Sequence, residues 1–348
     1  MMKTLKTRIR KAAEPVEKAE PEVSESLLVG AEVAADIAKL LKFSTFEPEQ
    51  KYWLDTGNAD LNAVFGSRER GLAYGKIIEL SGVEHVGKSL LSLVIGGMAQ
   101  QDGAGCGRVD LEFGQDEAWD KKHGLNPAAM VNIYPKLVRP KVQVPRENAE
   151  WEEEEATKKK KKKGLNIPYL QSAEDLFTEM EVGMSLLADK NFAKQYWIVD
   201  AVADIQTEMA VTAGARDHNM RVSLDRAAFL SYYLPRMAGL AANYSAIIFL
   251  INQVRDKQGL VFGKPTYTPG GRALRHCCSV RAEAHRVKHG LLKKAGHTVG
   301  LVGYVHNEKN KAGGGSVQNE DCGYRVRWDR DKALWTFMSK EEAMGVLS

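Results

Sequence analysis

Several features that would take a chain out of the ordinary globular class are scarce in these 348 residues. No run approaches the ~18 consecutive apolar residues of a membrane span, so a helical membrane protein is not expected. The basic first residues lack the apolar stretch of a secretory signal, which makes the cytoplasm the default compartment, that of a host if the chain is viral. Only four cysteines occur, Cys106, Cys277, Cys278 and Cys322. None forms a C-x-x-C pair or stands with histidine at zinc spacing, so they are expected to be reduced, buried or incidental. An excess of one charge is lacking too. With 49 Lys and Arg against 45 Asp and Glu, the net charge of +4 does not by itself imply a nucleic-acid partner. The remaining composition, 44% hydrophobic and 27% charged, leaves room for one large α/β domain with appendages.

The most informative stretch is Gly82-Val83-Glu84-His85-Val86-Gly87-Lys88-Ser89, a full G-x-x-x-x-G-K-[ST] run. Before it, Lys76 to Leu80 has the apolar density of a short buried strand. After it, Leu90, Leu91, Leu93, Val94 and Ile95 fill a helix that opens on Lys88-Ser89. Glycines let backbone N–H groups close around phosphate oxygens, and a helix N-terminus adds partial positive charge at the same point. The pattern therefore predicts a phosphate-binding loop with Lys88 on the β and γ phosphates and the Ser89 hydroxyl on Mg2+. A glycine-bearing turn that matches by chance is the alternative, and the flanking strand and helix argue against it.

Residues 1 to about 26 combine Lys3, Lys6, Arg8, Arg10 and Lys11 with a Pro/Glu-rich piece, which predicts an arm that buries little, with a short helix over Thr4 to Ala13. A helix over Glu25 to Lys42 follows, suited equally to core packing or to hooking a neighbouring subunit. Residues 1–50 are thus an N-terminal arm and helix, and 51–335 the core. Between about Lys136 and Asn166 the core is interrupted by an acidic block, Glu152 to Glu155, and six lysines, Lys158 to Lys163. A solvated insertion is favoured there over a nucleic-acid patch, because the acidic block can neutralise the basic one.

Beyond the first helix the chain alternates strands and helices. Gly107 to Glu112 reads as a strand ending in carboxylates, Ser172-Ala173-Glu174-Asp175 as a helix start, and Tyr196 to Asp200 as an apolar strand ending in an acid. A helix over Leu224 to Ala242 leads to the apolar strand Ala246 to Ile251, closed by Asn252-Gln253. This rhythm predicts an α/β fold with a mostly parallel, doubly wound sheet, helices on both faces, and ligands at the carboxyl ends of the strands. Glu112, Asp200 and Gln253 sit at such ends.

From about Trp53 to Trp335 the chain resembles the RecA-type homologous recombinases, bacterial and phage. The segments that carry the resemblance are Leu72 to Glu79 before the loop, Asp110-Leu111-Glu112 after it, and Phe249 to Arg255 running through Val261 to Pro265 into Gly270-Gly271-Arg272-Ala273-Leu274 and Ser279-Val280-Arg281. Met2 to Arg8 is similar to the short arm of phage UvsX-type recombinases. The resemblance implies a RecA-like core that binds ATP and Mg2+, with Leu90 joining the phosphate loop at the nucleotide. It makes Glu112 the base that orients the attacking water, Asp200 a holder of the Mg2+ shell through water, and Gln253 the γ-phosphate sensor. Asp116 falls where the family contacts the adenine amino group, and Trp119 where it stacks an aromatic, with core packing as an equal reading of Trp119. Lys309 and Lys311 match lysines that reach a neighbouring subunit's ATP.

Two loops, about Met209 to Arg221 and Val254 to Arg272, are rich in Gly, polar and cationic groups and longer than loops usually run without a function. By the resemblance they line a filament axis. Arg221, Arg255, Lys257, Lys264 and Arg272 would track phosphates, and Met220 and Phe262 would wedge or stack against bases. Gln258 departs from the apolar residue of bacterial relatives. Ser348 comes soon after the core, so 336–348 is expected to be a short tail with no separate C-terminal domain. The function implied is an ATP-dependent recombinase that forms filaments on single-stranded DNA and pairs it with homologous duplex. Its partners would be DNA, further copies of itself and accessory single-strand-binding and mediator proteins, with no membrane. A ring-forming helicase on the same core, or a DNA-coating protein with ATP as structural ligand, are the alternatives.

Overall fold

The computed structural model describes residues 51–114, 116–138, 169–212, 220–256, 266–312, 320–329 and 331–345. The expected N-terminal arm and helix and the Glu/Lys blocks of the insertion lie outside the described residues. The insertion's two ends meet in a short antiparallel pair, Leu137–Val138 with Tyr169–Leu170.

A nine-stranded sheet organises the fold. In chain order its strands are β1 Lys76–Gly82, β2 Gly105–Asp110, β3 Met130–Ile133, β4 Gln195–Asp200, β5 Ala246–Ile251, β6 Val280–Lys294, β7 His297–Asn310, β8 Asp321–Trp328 and β9 Ala333–Met338. Across the sheet the order is β9-β8-β7-β6-β1-β5-β4-β2-β3. From β6 to β3 every neighbouring pair is parallel. The β6 to β9 edge is antiparallel.

Strand sequence explains the layers. In β5, Ile247, Phe249 and Ile251 enter one core with Ile78, Leu80, Tyr196 and Ile198, while Ala246, Ile248 and Leu250 enter the other with Ile77, Trp197 and Val199. Both faces are covered, which is why these strands read as unbroken apolar runs. Helix α1, Ala59–Phe65, precedes β1, and helix α2, Lys88–Gln101, covers the first face through Leu91, Leu93, Ile95 and Ala99. After the short helix α3, Glu117–Lys122, the second face is covered by α4, Ala173–Asp189, and α5, Met220–Asn243. Phe177, Met184, Leu234 and Met237 supply that packing, each worth ~1.5–3 kcal/mol on full burial. A Cβ at Gly107 would lie 2.3 Å from the Trp197 ring, so β2 can pass β4 here only with glycine.

Several boundaries differ from the sequence expectation. Helix α4 is capped by Ser172, where a helix start is expected, with a full Ser172/Asp175 capping box. Strand β2 ends at Asp110, so Glu112 stands in the turn beyond it. Part of the expected first loop is helical: Glu208–Thr212 forms a short helix, and α5 already begins at Met220. The second loop opens with Arg255–Asp256 paired to Thr266–Tyr267, and Arg272 belongs to helix α6, Gly271–Cys277. The expected strand Leu301 to Val305 is the middle of a long β6–β7 hairpin. The core continues past Trp335 through β9 to the helix Lys340–Gly345, where Ala343 packs with Val287 and Val302. Among the described residues no helix is long and apolar enough to cross a membrane.

Candidate nucleotide-binding site

The carboxyl ends of β1, β2, β4 and β5 open into a cavity of about 650 Å³. It is lined by Glu84, His85, Gly87, Lys88, Ser89, Leu90, Glu112, Trp119, Asp200 and Gln253, and also by Arg286, Leu291, Leu301 and Trp328. The loop from Gly82 to Ser89 bends as the motif requires. Gly87 takes φ +91°, a left-handed conformation that places it as the N-cap of α2. The Tyr324 hydroxyl donates to the Val86 carbonyl and secures the loop from β8.

Lys88 donates to the carbonyls of Gly82 and Val83 at 3.0 and 2.8 Å. Burial pulls its pKa down, while Asp200, Glu112 and Glu84 act the other way. Asp200 is pushed up to about 6, by burial first, with the Ser89 hydroxyl bond opposing and Asp110 adding to it. Its Oδ1 is buried without a hydrogen-bond partner among the described residues. An orphaned carboxylate oxygen beside a serine hydroxyl fits Mg2+, which is held by one or two carboxylates together with phosphate oxygens and waters.

Glu112 is set by its neighbours. The Asp110 carboxylate accepts from the backbone N–H of Glu112 and Gly114 at 3.1 and 3.3 Å, fixing the turn beyond β2. Gln253 Nε2 donates to Glu112 Oε1 at 3.3 Å. The Glu112 pKa is pushed up to about 7, by partial burial first, then by Asp200 and by a hydrogen bond with Asp204. A carboxylate near 7 can accept a proton from an adjacent water at neutral pH.

On the far wall Trp119 and Trp328 are 5.4 Å apart at 56°, and Trp119 also tilts against His123 at 4.8 Å. Trp119 therefore both packs and lines the cavity. Asp116 is the N-cap of α3, its Oδ1 accepting from the N–H groups of Ala118 and Trp119. The buried Arg108–Asp120 pair, 2.6 Å, fixes α3 against β2.

Other expected residues lie elsewhere. The Lys309 ammonium donates to the carbonyls of Arg275, His276 and Cys278 at the end of α6, and Lys311 is exposed beyond β7; neither lines the cavity. Arg255 and Arg272 are exposed. Met220 and Arg221 stand in the first turn of α5, and Lys257, Phe262 and Lys264 lie outside the described residues. Sequence reading missed Trp328, Arg286 and Leu291. They come from the antiparallel edge and carry no local signal beyond the alternation of β6 and β8.

The fold and the loop define the class first: an α/β phosphate-loop protein with a RecA-like core. Residues 171–318 match the family model of the RecA N-terminal domain. Over 258 residues the chain is 28% identical to Protein RecA of Rhodopirellula baltica, covering 74% of this chain and 56% of that relative. Both likenesses are to RecA proteins. The family match starts at Gln171, so the phosphate loop is assigned from its own motif and geometry. The chain spans little more than half the length of this curated relative.

Proposed function

We propose that the protein is an ATP-dependent, DNA-stimulated recombinase that polymerises on single-stranded DNA and pairs it with homologous duplex. The observation that carries this reading is the Gln253 amide on Glu112, because Gln253 sits between β5 and the second loop. One side chain thus touches the candidate base while its backbone runs into the candidate DNA-binding segment.

In this reading Lys88 and the loop N–H groups hold the β and γ phosphates, and Ser89 and Asp200 hold Mg2+, which supplies charge neutralisation when bound. Glu112 orients the attacking water and takes its proton on a carboxylate oxygen. Gln253 senses whether the γ-phosphate is present and shifts the second loop accordingly. Trp119 and Trp328 form the wall for the base. Arg255 and Arg272 meet DNA phosphates, and Lys309 and Lys311 complete the site of an adjacent copy. A ring-forming helicase is not favoured by the family matches. A coating protein with inert ATP is disfavoured by the presence of Lys88, Glu112 and Asp200 together.

The test is single-stranded oligonucleotide binding with and without Mg2+ and a slowly hydrolysed ATP analogue. Wild type should bind DNA more tightly with the analogue, and Lys88→Ala should lose that gain. Equal affinity with and without analogue in wild type would refute the reading.

A further inference from the structure

Behind the cavity, on the face of β1 away from α2, lies a chain of buried polar groups that the site chemistry does not use. Glu79 is fully buried in mid-strand. One of its oxygens accepts from Asn252 Nδ2 at 2.8 Å, and the other from Arg281 Nε at 2.5 Å. A buried ion pair is costly to desolvate, and its retention needs both partners well bonded. Here both are.

Each end of the pair reaches a functional segment. Asn252 accepts from the backbone N–H of Gln253 at 2.9 Å and donates to the Pro269 carbonyl at 2.9 Å, so one amide fixes both the sensor and the foot of the second loop. Arg281 donates to Thr268 at that same foot and pairs with Glu308 at 3.2 Å. Strand register reinforces this. Arg281 lies opposite Glu79 on β1 and opposite Lys309 on β7. Arginine suits the position because its planar fork can meet three partners in fixed directions, which an ammonium cannot.

We propose that Glu79 and Arg281 are positioning residues that lock the Gln253 strand end, the foot of the second loop and the Lys309 strand into one unit, so that a shift at Gln253 is transmitted to both. This rests on the function proposed above. The pair touches neither nucleotide nor DNA and acts through Asn252, Thr268 and Glu308.

The test uses the full chain, a labelled single-stranded oligonucleotide and a slowly hydrolysed ATP analogue with Mg2+. Glu79→Gln and Arg281→Lys should bind the analogue close to wild type, since the phosphate loop is untouched. The factor by which the analogue tightens DNA binding should fall about tenfold, within the usual range of coupling between sites. Combining Glu79→Gln with Gln253→Ala should lose no more coupling than Gln253→Ala alone, a non-additivity that destabilisation by itself does not produce. Tyr74→Phe, which removes the distant bond to Asp102, serves as the folding control and should keep the wild-type factor. If Glu79→Gln does not fold, Arg281→Lys and Glu308→Gln decide. A wild-type coupling factor in a folded pair variant, or full additivity in the double variant, overturns the proposal. A wild type with no coupling at all refutes the proposed function instead, so the two failures are distinguishable.

Discussion

Asp200→Asn should make the ligand-free protein more stable at neutral pH while impairing its Mg2+-dependent nucleotide binding. Asp200 is pushed from 3.8 up to about 6, by burial first, and its Oδ1 has no hydrogen-bond partner among the described residues. A carboxyl whose folded pKa is raised destabilises the fold once it must ionise. The penalty is absent below about pH 4, grows between pH 4 and 6, and is constant above. Two pKa units at 1.36 kcal/mol each set its upper size at about 3 kcal/mol. The opposing pull of Lys88 and of the Ser89 bond is already inside that shift, so about 1–3 kcal/mol is expected, or roughly 2–10 °C in Tm for a domain of this size. Calorimetric melts of wild type and variant at pH 4.5, 6 and 8, without Mg2+ or nucleotide, read the effect directly. The variant's advantage should be smallest at pH 4.5, about a third of its full size, and complete at pH 8. A variant that melts at or below wild type at pH 8 refutes the claim that Asp200 is held ready for a cation.

Glu112→Gln should retain ATP-analogue binding and DNA binding but lose turnover, and wild-type turnover should rise with pH through about 7 as Glu112 deprotonates; turnover near wild type in the variant rejects the base assignment. Asp120→Ala strands the buried Arg108 guanidinium and should cost about 3–5 kcal/mol in urea melts, whereas replacing both partners by apolar residues should recover much of it. A variant lacking the Glu112 carboxylate, mixed with one in which Lys309 and Lys311 are alanine, should regain part of the ATPase activity that each lacks alone. With both binding ATP and co-assembling, no recovery at any ratio would mean that the lysines do not act across a subunit boundary.

The parallel half of the sheet was legible because burial on both faces leaves unbroken apolar strands, as in Ala246 to Ile251, and because a phosphate loop needs a fixed order of glycines, lysine and hydroxyl. Asp200 and Glu112 were found for the same reason: strand ends beside that loop are where charge is useful. The antiparallel half was harder to read. Val280 to Lys294 mixes buried Val280, Ala282 and Ala284 with exposed Lys288 and Lys293, so its alternation is diluted by a hairpin that is solvated toward its tip. Trp328 and Arg286 reach the cavity only through that long-range pairing. Nothing in the sequence around Lys309 signals that α6 would present three carbonyls to it. The Glu79–Arg281 pair is separated by 202 residues in sequence, and register between β1 and β6 alone brings it together.

In the proposed function, nucleotide bound at this loop organises the protein on DNA. Electron microscopy of the full chain with single-stranded DNA, Mg2+ and a slowly hydrolysed ATP analogue tests it most directly. Continuous helical filaments that vanish without the analogue, and in Lys88→Ala, are the expected result. Closed rings, or filaments indifferent to the nucleotide, would contradict it.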